Sequence, residues 1–214
     1  MYRFIETIRI DHGKICNLSY HNQRLNNTRT HFWPESPALQ LTNYLPSVPE
    51  NGIYKLRVIY SRDGIEEITC TPYTIRPVHS LALIQADNID YAYKNTNRDV
   101  LNQLFTQRGS CDDILIVRHN LLTDTSIANI AFSDSKCWYT PQYPLMKGTK
   151  RTELLDKGIL VERNICIEDI PSYSTIRLFN AMIDWGELEL PFSLTKSGTV
   201  LQASGPVSYT HLRA

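Results

Sequence analysis

Four blocks of this sequence carry side chains able to do chemistry together, and they occur in a fixed order. The first pairs Glu6-Thr7-Ile8-Arg9 with His21-Asn22-Gln23-Arg24-Leu25. The second is Tyr93-Lys94-Asn95-Thr96-Asn97-Arg98, and the third runs from Leu122 through Asp124, Ser126 and Asn129 to Ile130. The fourth is Pro144-Leu145-Met146-Lys147-Gly148-Thr149-Lys150-Arg151. Lys94 stands between an expected strand and an expected helix, a junction that aims a side chain into a cleft. Such a lysine becomes a nucleophile once partial burial or a nearby cation removes its proton, and Arg98, one helical turn on, is a candidate cation. Arg24 offers an anion a fork of donors. Gly148-Thr149-Lys150 opens an expected helix, whose N-terminal N–H groups favour an anion, and Thr149 adds a hydroxyl. Each feature also has an ordinary reading. Lys94 reads as a solvated surface lysine, Arg24 as an exposed helix arginine, Gly148-Thr149 as a cap, and Asp124 with Ser126 as a turn.

Together the four blocks resemble the class IV aminotransferase family, the fold-type IV enzymes that use pyridoxal phosphate. That family includes branched-chain aminotransferases, D-amino-acid aminotransferases and 4-amino-4-deoxychorismate lyases. The resemblance runs from Phe4 to about Met182, and the Lys94 block looks nearest to the lyases. It implies pyridoxal 5′-phosphate as cofactor, with Lys94 bonding the cofactor's aldehyde and then acting as general base at the substrate's Cα. Asp124 stands where the family usually carries Glu, the partner of the pyridine nitrogen, and is shorter by one methylene, about 1.5 Å. The cofactor's other expected contacts are Arg24, Ser126, Ile127, Gly148, Thr149 and Lys150. Tyr93, Arg98 and Asn129 are candidates for the substrate side, while His21 is expected to pack or cap.

The activity implied is that of a lyase of the 4-amino-4-deoxychorismate kind, which belongs to folate biosynthesis, acting on an amino-acid-like substrate. A branched-chain or D-amino-acid transaminase is the first alternative. The second is a non-catalytic relative serving as a binding module. Two departures motivate it: Asp124 in place of Glu, and a chain that begins almost at the Glu-Thr-Ile-Arg strand, without the strand and Asp-Arg-Gly-like loop usual before it. The resemblance also implies a homodimer.

The elements that must position these side chains are legible from periodicity. Phe4 to Ile10 alternates apolar and polar residues, as a strand does, and Asp11 to Lys14 reads as a turn into a returning strand over residues 15–18. Ser19 reads as the cap of a helix over residues 20–32, ended by Pro34 and Pro37. A short helix is expected near Ala38. Residues 54–60 and 65–71 form an expected hairpin. Beyond Pro77, strands are expected at residues 80–84, 113–117, 127–132, 137–139 and 159–167, with helices at 97–107 and 148–157. Residues 175–182 are ambiguous. The fold class implied is mixed α/β in two domains: a small N-terminal α/β domain (residues 1–77) and a larger, pseudo-barrel-like cofactor-binding domain (residues 78–203). Residues 204–214 break all periodicity and are expected to be a loosely attached, non-native tail.

Composition sets the outer bounds. Lys+Arg 22 against Asp+Glu 22 leaves no basic excess to suggest a nucleic-acid or acidic-membrane partner. No apolar run approaches the roughly 18 residues of a membrane span, and the N-terminus lacks the apolar stretch of a secretory signal, so a cytoplasmic location is expected. Five cysteines, an odd number with no close pair, argue against a disulfide framework or a zinc knuckle, and no metal is expected. The motifs GxGxxG, GxxxxGK[ST] and GxSxG are absent, which weighs against dinucleotide, P-loop and α/β-hydrolase chemistry.

Overall fold

A computed structural model of the chain describes residues 2–194 and 200–203, so the reading of residues 204–214 as a tail lies outside the described residues. The chain divides into two compact units. The first holds the chain through Ile75 together with Tyr91–Asn97; the second holds Arg76–Asp90 and the chain from Arg98 onward. The segment that carries Lys94 therefore belongs with the N-terminal unit, although residues 76–90 before it do not.

The first unit is one antiparallel sheet with a helix. Its elements are β1 (Phe4–Asp11), β2 (Lys14–Ile15), α1 (Leu18–Phe32), β3 (Ile53–Ser61) and β4 (Gly64–Pro72), in sheet order β2-β1-β3-β4. His12 and Gly13 both take positive φ, 46° and 78°, which is the backbone of the two-residue turn that matches strand twist. Phe4, Glu6, Ile8 and Ile10 share one face of β1 by the period of two, and all four are buried. The apolar members pack with Leu25, Leu56, Val58 and Tyr60 into the core of this unit. Helix α1 begins two residues earlier than Ser19 suggests. Asn17, at φ 53°, is its N-cap, and His21 N–H bonds the Asn17 carbonyl at 3.1 Å. Asn tolerates the left-handed region that most residues avoid. In place of a helix at Ala38 there is a single 3-10 turn, Leu41–Asn43.

The second unit is a nine-stranded mixed sheet. In chain order it holds β5 (Ser80–Gln85), α2 (Asp99–Thr106), β6 (Asp113–Arg118), β7 (Leu121–Thr125), β8 (Asn129–Ser133), β9 (Trp138–Pro141), α3 (Thr149–Asp156), β10 (Val161–Arg163), β11 (Thr175–Phe179), β12 (Glu189–Leu194) and β13 (Val200–Ala203). The sheet order is β10-β9-β8-β11-β12-β13-β5-β6-β7, with β5–β6 and β9–β10 parallel. Its two edges approach each other: Leu122 N–H on β7 bonds the Ile165 carbonyl at 2.8 Å, just past β10, and Leu121 bridges Cys166. The sheet thus curls nearly closed, the pseudo-barrel form expected.

Strand β7 has no strong strand signal in sequence, because it is only five residues long and Asp124 interrupts its β-favouring threonines. It forms because His119 and Asn120, at φ 49° and 66°, turn the chain straight back from β6. At the other end, the Thr125 hydroxyl accepts N–H bonds from Ile127 (3.3 Å) and Ala128 (3.0 Å), so β8 starts at Asn129 rather than at Ile127. No helix among the described residues is long and apolar enough to cross a membrane.

Candidate active site

In the first unit the chemistry-bearing side chains gather around β1. Glu6 is fully buried, and its carboxylate meets both residues that α1 places one turn apart. Oε1 accepts from Arg24 Nε at 2.9 Å; Oε2 accepts from Arg24 Nη2 at 2.5 Å and bonds His21 Nδ1 at 2.6 Å. Burial by itself would raise the Glu6 carboxyl, but the Arg24 charge and the bonds from His21 and Arg24 outweigh it and hold the group at about 2. His21 is pushed the other way, below its ordinary value of 6.5, by burial and by the charges on Arg24 and Lys94 against the pull of Glu6. The ring is therefore neutral near pH 7 and Nδ1–H is the donor to Glu6. Lys94 is fixed through its main chain, its carbonyl accepting from Ile5 N–H at 2.9 Å, while Asn95 bridges Phe4. Tyr93 stacks on His31 with ring centroids 4.7 Å apart and meets Phe32 edge-on.

In the second unit the centre is Asp124, the penultimate residue of β7. Its buried carboxylate accepts Asn129 Nδ2 at 2.8 Å on Oδ1 and Met146 N–H at 3.0 Å on Oδ2. Burial drives this carboxyl up to about 6, held back by the N–H groups of Met146, Asn129 and Leu145 and by the charge of Arg151. It is mostly ionised at pH 7, yet far easier to protonate than a surface aspartate. Asn129 Nδ2 also donates to the Met146 carbonyl at 3.0 Å. Gly148, at the N-cap of α3, lies against the same carboxamide: a Cβ there would stand 2.2 Å from Asn129 Oδ1. Thr152 N–H is the first amide bonded within α3, to the Gly148 carbonyl, so the N–H groups of Thr149, Lys150 and Arg151 precede the internal ladder.

The remaining expected residues fall as follows. Arg98 is the N-cap of α2, not a turn beyond Lys94 on one helix, and its Nη2 donates to the Ser126 carbonyl at 2.7 Å. Ile127 is partly exposed, its N–H turned to Thr125 and its carbonyl bonded by Asn180. The Lys150 ammonium lies between Glu153 (2.7 Å) and Asp184 (2.8 Å). Asn129 is buried, its amide given to Asp124 and Met146. The sequence presents Glu6 only as part of a motif, and His21 as a residue expected to pack or cap. The signal available was parity: Glu6 shares the strand face of Phe4, Ile8 and Ile10, so a carboxylate had to be buried there and had to find a partner.

The donor set suits the expected cofactor. The side-chain types the resemblance names are those pyridoxal phosphate needs: an amine at Lys94, a guanidinium at Arg24, a buried carboxylate at Asp124 and a helix start at Gly148.

Comparison with known proteins shows the family. The family model of amino-transferase class IV matches residues 3–188. An uncharacterized protein of Haemophilus influenzae (strain Rd) is 35% identical over 187 residues, 85% of this chain and 98% of the relative. A crystal structure from Haemophilus somnus 129PT, provisionally named a 4-amino-4-deoxychorismate lyase, superposes with TM-score 0.82 at 32% identity, covering 86% of this chain and 98% of that one. A hypothetical aminotransferase from Mycobacterium tuberculosis in its PLP-bound form shares the fold at 19% identity, with TM-score 0.66 over 84% of this chain and 78% of that one. The chain belongs to the class IV aminotransferase family and is an enzyme of its pyridoxal-phosphate-dependent type.

Proposed function

We propose that this protein binds pyridoxal 5′-phosphate and acts as a lyase of the 4-amino-4-deoxychorismate kind. The observation that carries the reading is the similarity to the Haemophilus somnus protein across nearly all of that chain. When bound, the cofactor supplies an electron sink conjugated to the substrate's Cα. Lys94 is the amine that holds the cofactor's aldehyde and later takes the proton from Cα. Arg24 would hold the phosphate dianion through its guanidinium; the first-turn N–H groups of α3 and the Thr149 hydroxyl are donors of the kind an anion takes. Asp124, ionised above about pH 6, holds the proton on the pyridine nitrogen, and Asn129 and Met146 keep its carboxylate in place. A lyase needs the Cα proton removed and pyruvate expelled, whereas a transaminase would exchange the amino group with a keto acid.

The test is a pyruvate-release assay with aminodeoxychorismate, run beside a panel of amino donors and keto acids. Pyruvate release with the first substrate is expected. Exchange of amino groups without pyruvate release would assign the transaminase alternative. Protein that stays colourless with added cofactor would refute the reading altogether. Lys94→Ala should lose the visible absorbance and the turnover while its far-UV circular dichroism is unchanged; turnover in that variant would overturn the role of Lys94.

A further inference from the structure

The cluster on β1 does not read as a device for stability. Taking a glutamate and an arginine out of water costs about as much as their attraction returns, so a well-packed apolar group at this place would serve the core at least as well. The neighbours on the same strand face are apolar: Phe4, Ile8 and Ile10, each at most 1% exposed. What the cluster does fix is direction. Glu6 grips Arg24 side-on, through Nε and one hydrogen of Nη2. The other N–H groups of the planar fork lie along the Nη1–Nη2 edge, turned away from Glu6. Glu6 and His21 side chains are 0% exposed, whereas Arg24 keeps 17%, so the arginine is the member of the cluster that reaches the surface.

The same strand also holds the lysine. Arg3 and Ile5 precede Glu6 on β1 and its approach. The Arg3 carbonyl accepts from Thr96 N–H at 3.0 Å, and Ile5 N–H donates to the Lys94 carbonyl at 2.9 Å. One short strand therefore carries Arg24 through a side chain and the Lys94 segment through its main chain.

We propose that Glu6, backed by His21, is a positioning residue that holds the Arg24 guanidinium in the orientation that takes the cofactor's phosphate, in fixed register with Lys94. This rests on the reading of the chain as a pyridoxal-phosphate enzyme. Glu6 touches neither cofactor nor substrate; it acts through Arg24.

The test compares two ligands of the whole apoprotein: pyridoxal 5′-phosphate, and pyridoxal, which lacks the phosphate. Both are titrated against wild type, Glu6→Gln, Arg24→Ala and the double variant, with binding followed by absorbance. Glu6→Gln should weaken pyridoxal 5′-phosphate about tenfold and leave pyridoxal unchanged. In the Arg24→Ala background the same change should cost nothing further, because the residue it orients is gone. Equal loss for both ligands would mark Glu6 as merely structural and overturn the proposal, as would an unchanged affinity for the phosphorylated ligand. If Glu6→Gln does not fold, Glu6→Asp, which keeps the charge but withdraws it by one methylene, should show the same selective loss; an Asp variant without it overturns the proposal. Wild type that binds neither ligand would refute the functional reading and this inference together. Wild type that binds, with Glu6 variants behaving identically, would refute the inference alone.

Discussion

Two buried carboxylates answer burial in opposite ways, and pH separates them. The folded state favours the ionised form of Glu6, whose value falls from 4.5 to about 2. Its contribution is therefore complete above the unfolded value and is lost as pH drops through that window. The folded state favours the protonated form of Asp124, whose value rises from 3.8 to about 6. Its contribution is complete below the unfolded value and is lost as pH rises through about 6. Thermal melts over a pH series should show the gap between wild type and Glu6→Gln closing on acidification from pH 5 to pH 2. The gap between wild type and Asp124→Asn should move against wild type as pH climbs from 4 to 6. Parallel curves in either comparison would contradict the assigned environment. Asp124→Glu is the second expectation at this scale. Both carboxylate oxygens already sit on donors, at 2.8 and 3.0 Å. A further methylene would push the carboxylate past those donors, so Glu should lower stability by about 1–3 kcal/mol and reduce turnover. Turnover at or above wild type would mean that the backbone has not settled around the shorter acid.

At the scale of elements, the β7–β8 turn and the start of α3 behave as one piece. Asn129 opens β8, donates to Asp124 on β7 and to the Met146 carbonyl, and lies against Gly148. The glycine is required by close approach, not by its backbone, which at φ −67° suits any residue. Gly148→Ala would drive a methyl into a carboxamide that is bonded in two directions and cannot swing aside freely. It should destabilise the protein by about 1–3 kcal/mol in urea unfolding and shift the pH dependence of Asp124 by loosening its Asn129 bond. A silent Gly148→Ala would show that Asn129 is free to move. The same coupling explains what was legible here. Gly148 and Thr149 were readable as a helix start and Asp124 as an acid at a family position. Their junction through Asn129 was not, because the hydrogen bonds that tie β7 and β8 to the loop before α3 join residues 22 and 17 apart, beyond any local period.

For the whole molecule, the resemblance to fold-type IV enzymes implies an isologous pair, and we propose a homodimer on that ground. Sedimentation equilibrium at micromolar concentration should return about twice the mass of the single chain; a single-chain mass would count against it. Alternation and capping chemistry determined β1, β3, β4, β6 and α3 in sequence, since each is set by neighbours two to four residues away. Four blocks in order also sufficed to identify the family, because the residue types its chemistry needs sit on those elements. Other features were decided only by the tertiary structure. Strand β7 exists because β6 and the turn at His119-Asn120 impose it on a short run that Asp124 interrupts. Tyr91–Asn97 joins the N-terminal unit because its main chain pairs with Arg3, Phe4 and Ile5, about ninety residues earlier. Glu6 gained a role because burying a charge forces it to find partners, and which partners it finds depends on what α1 brings over β1. Local physics fixes where a side chain points along its own element; what it meets there is settled when the elements pack.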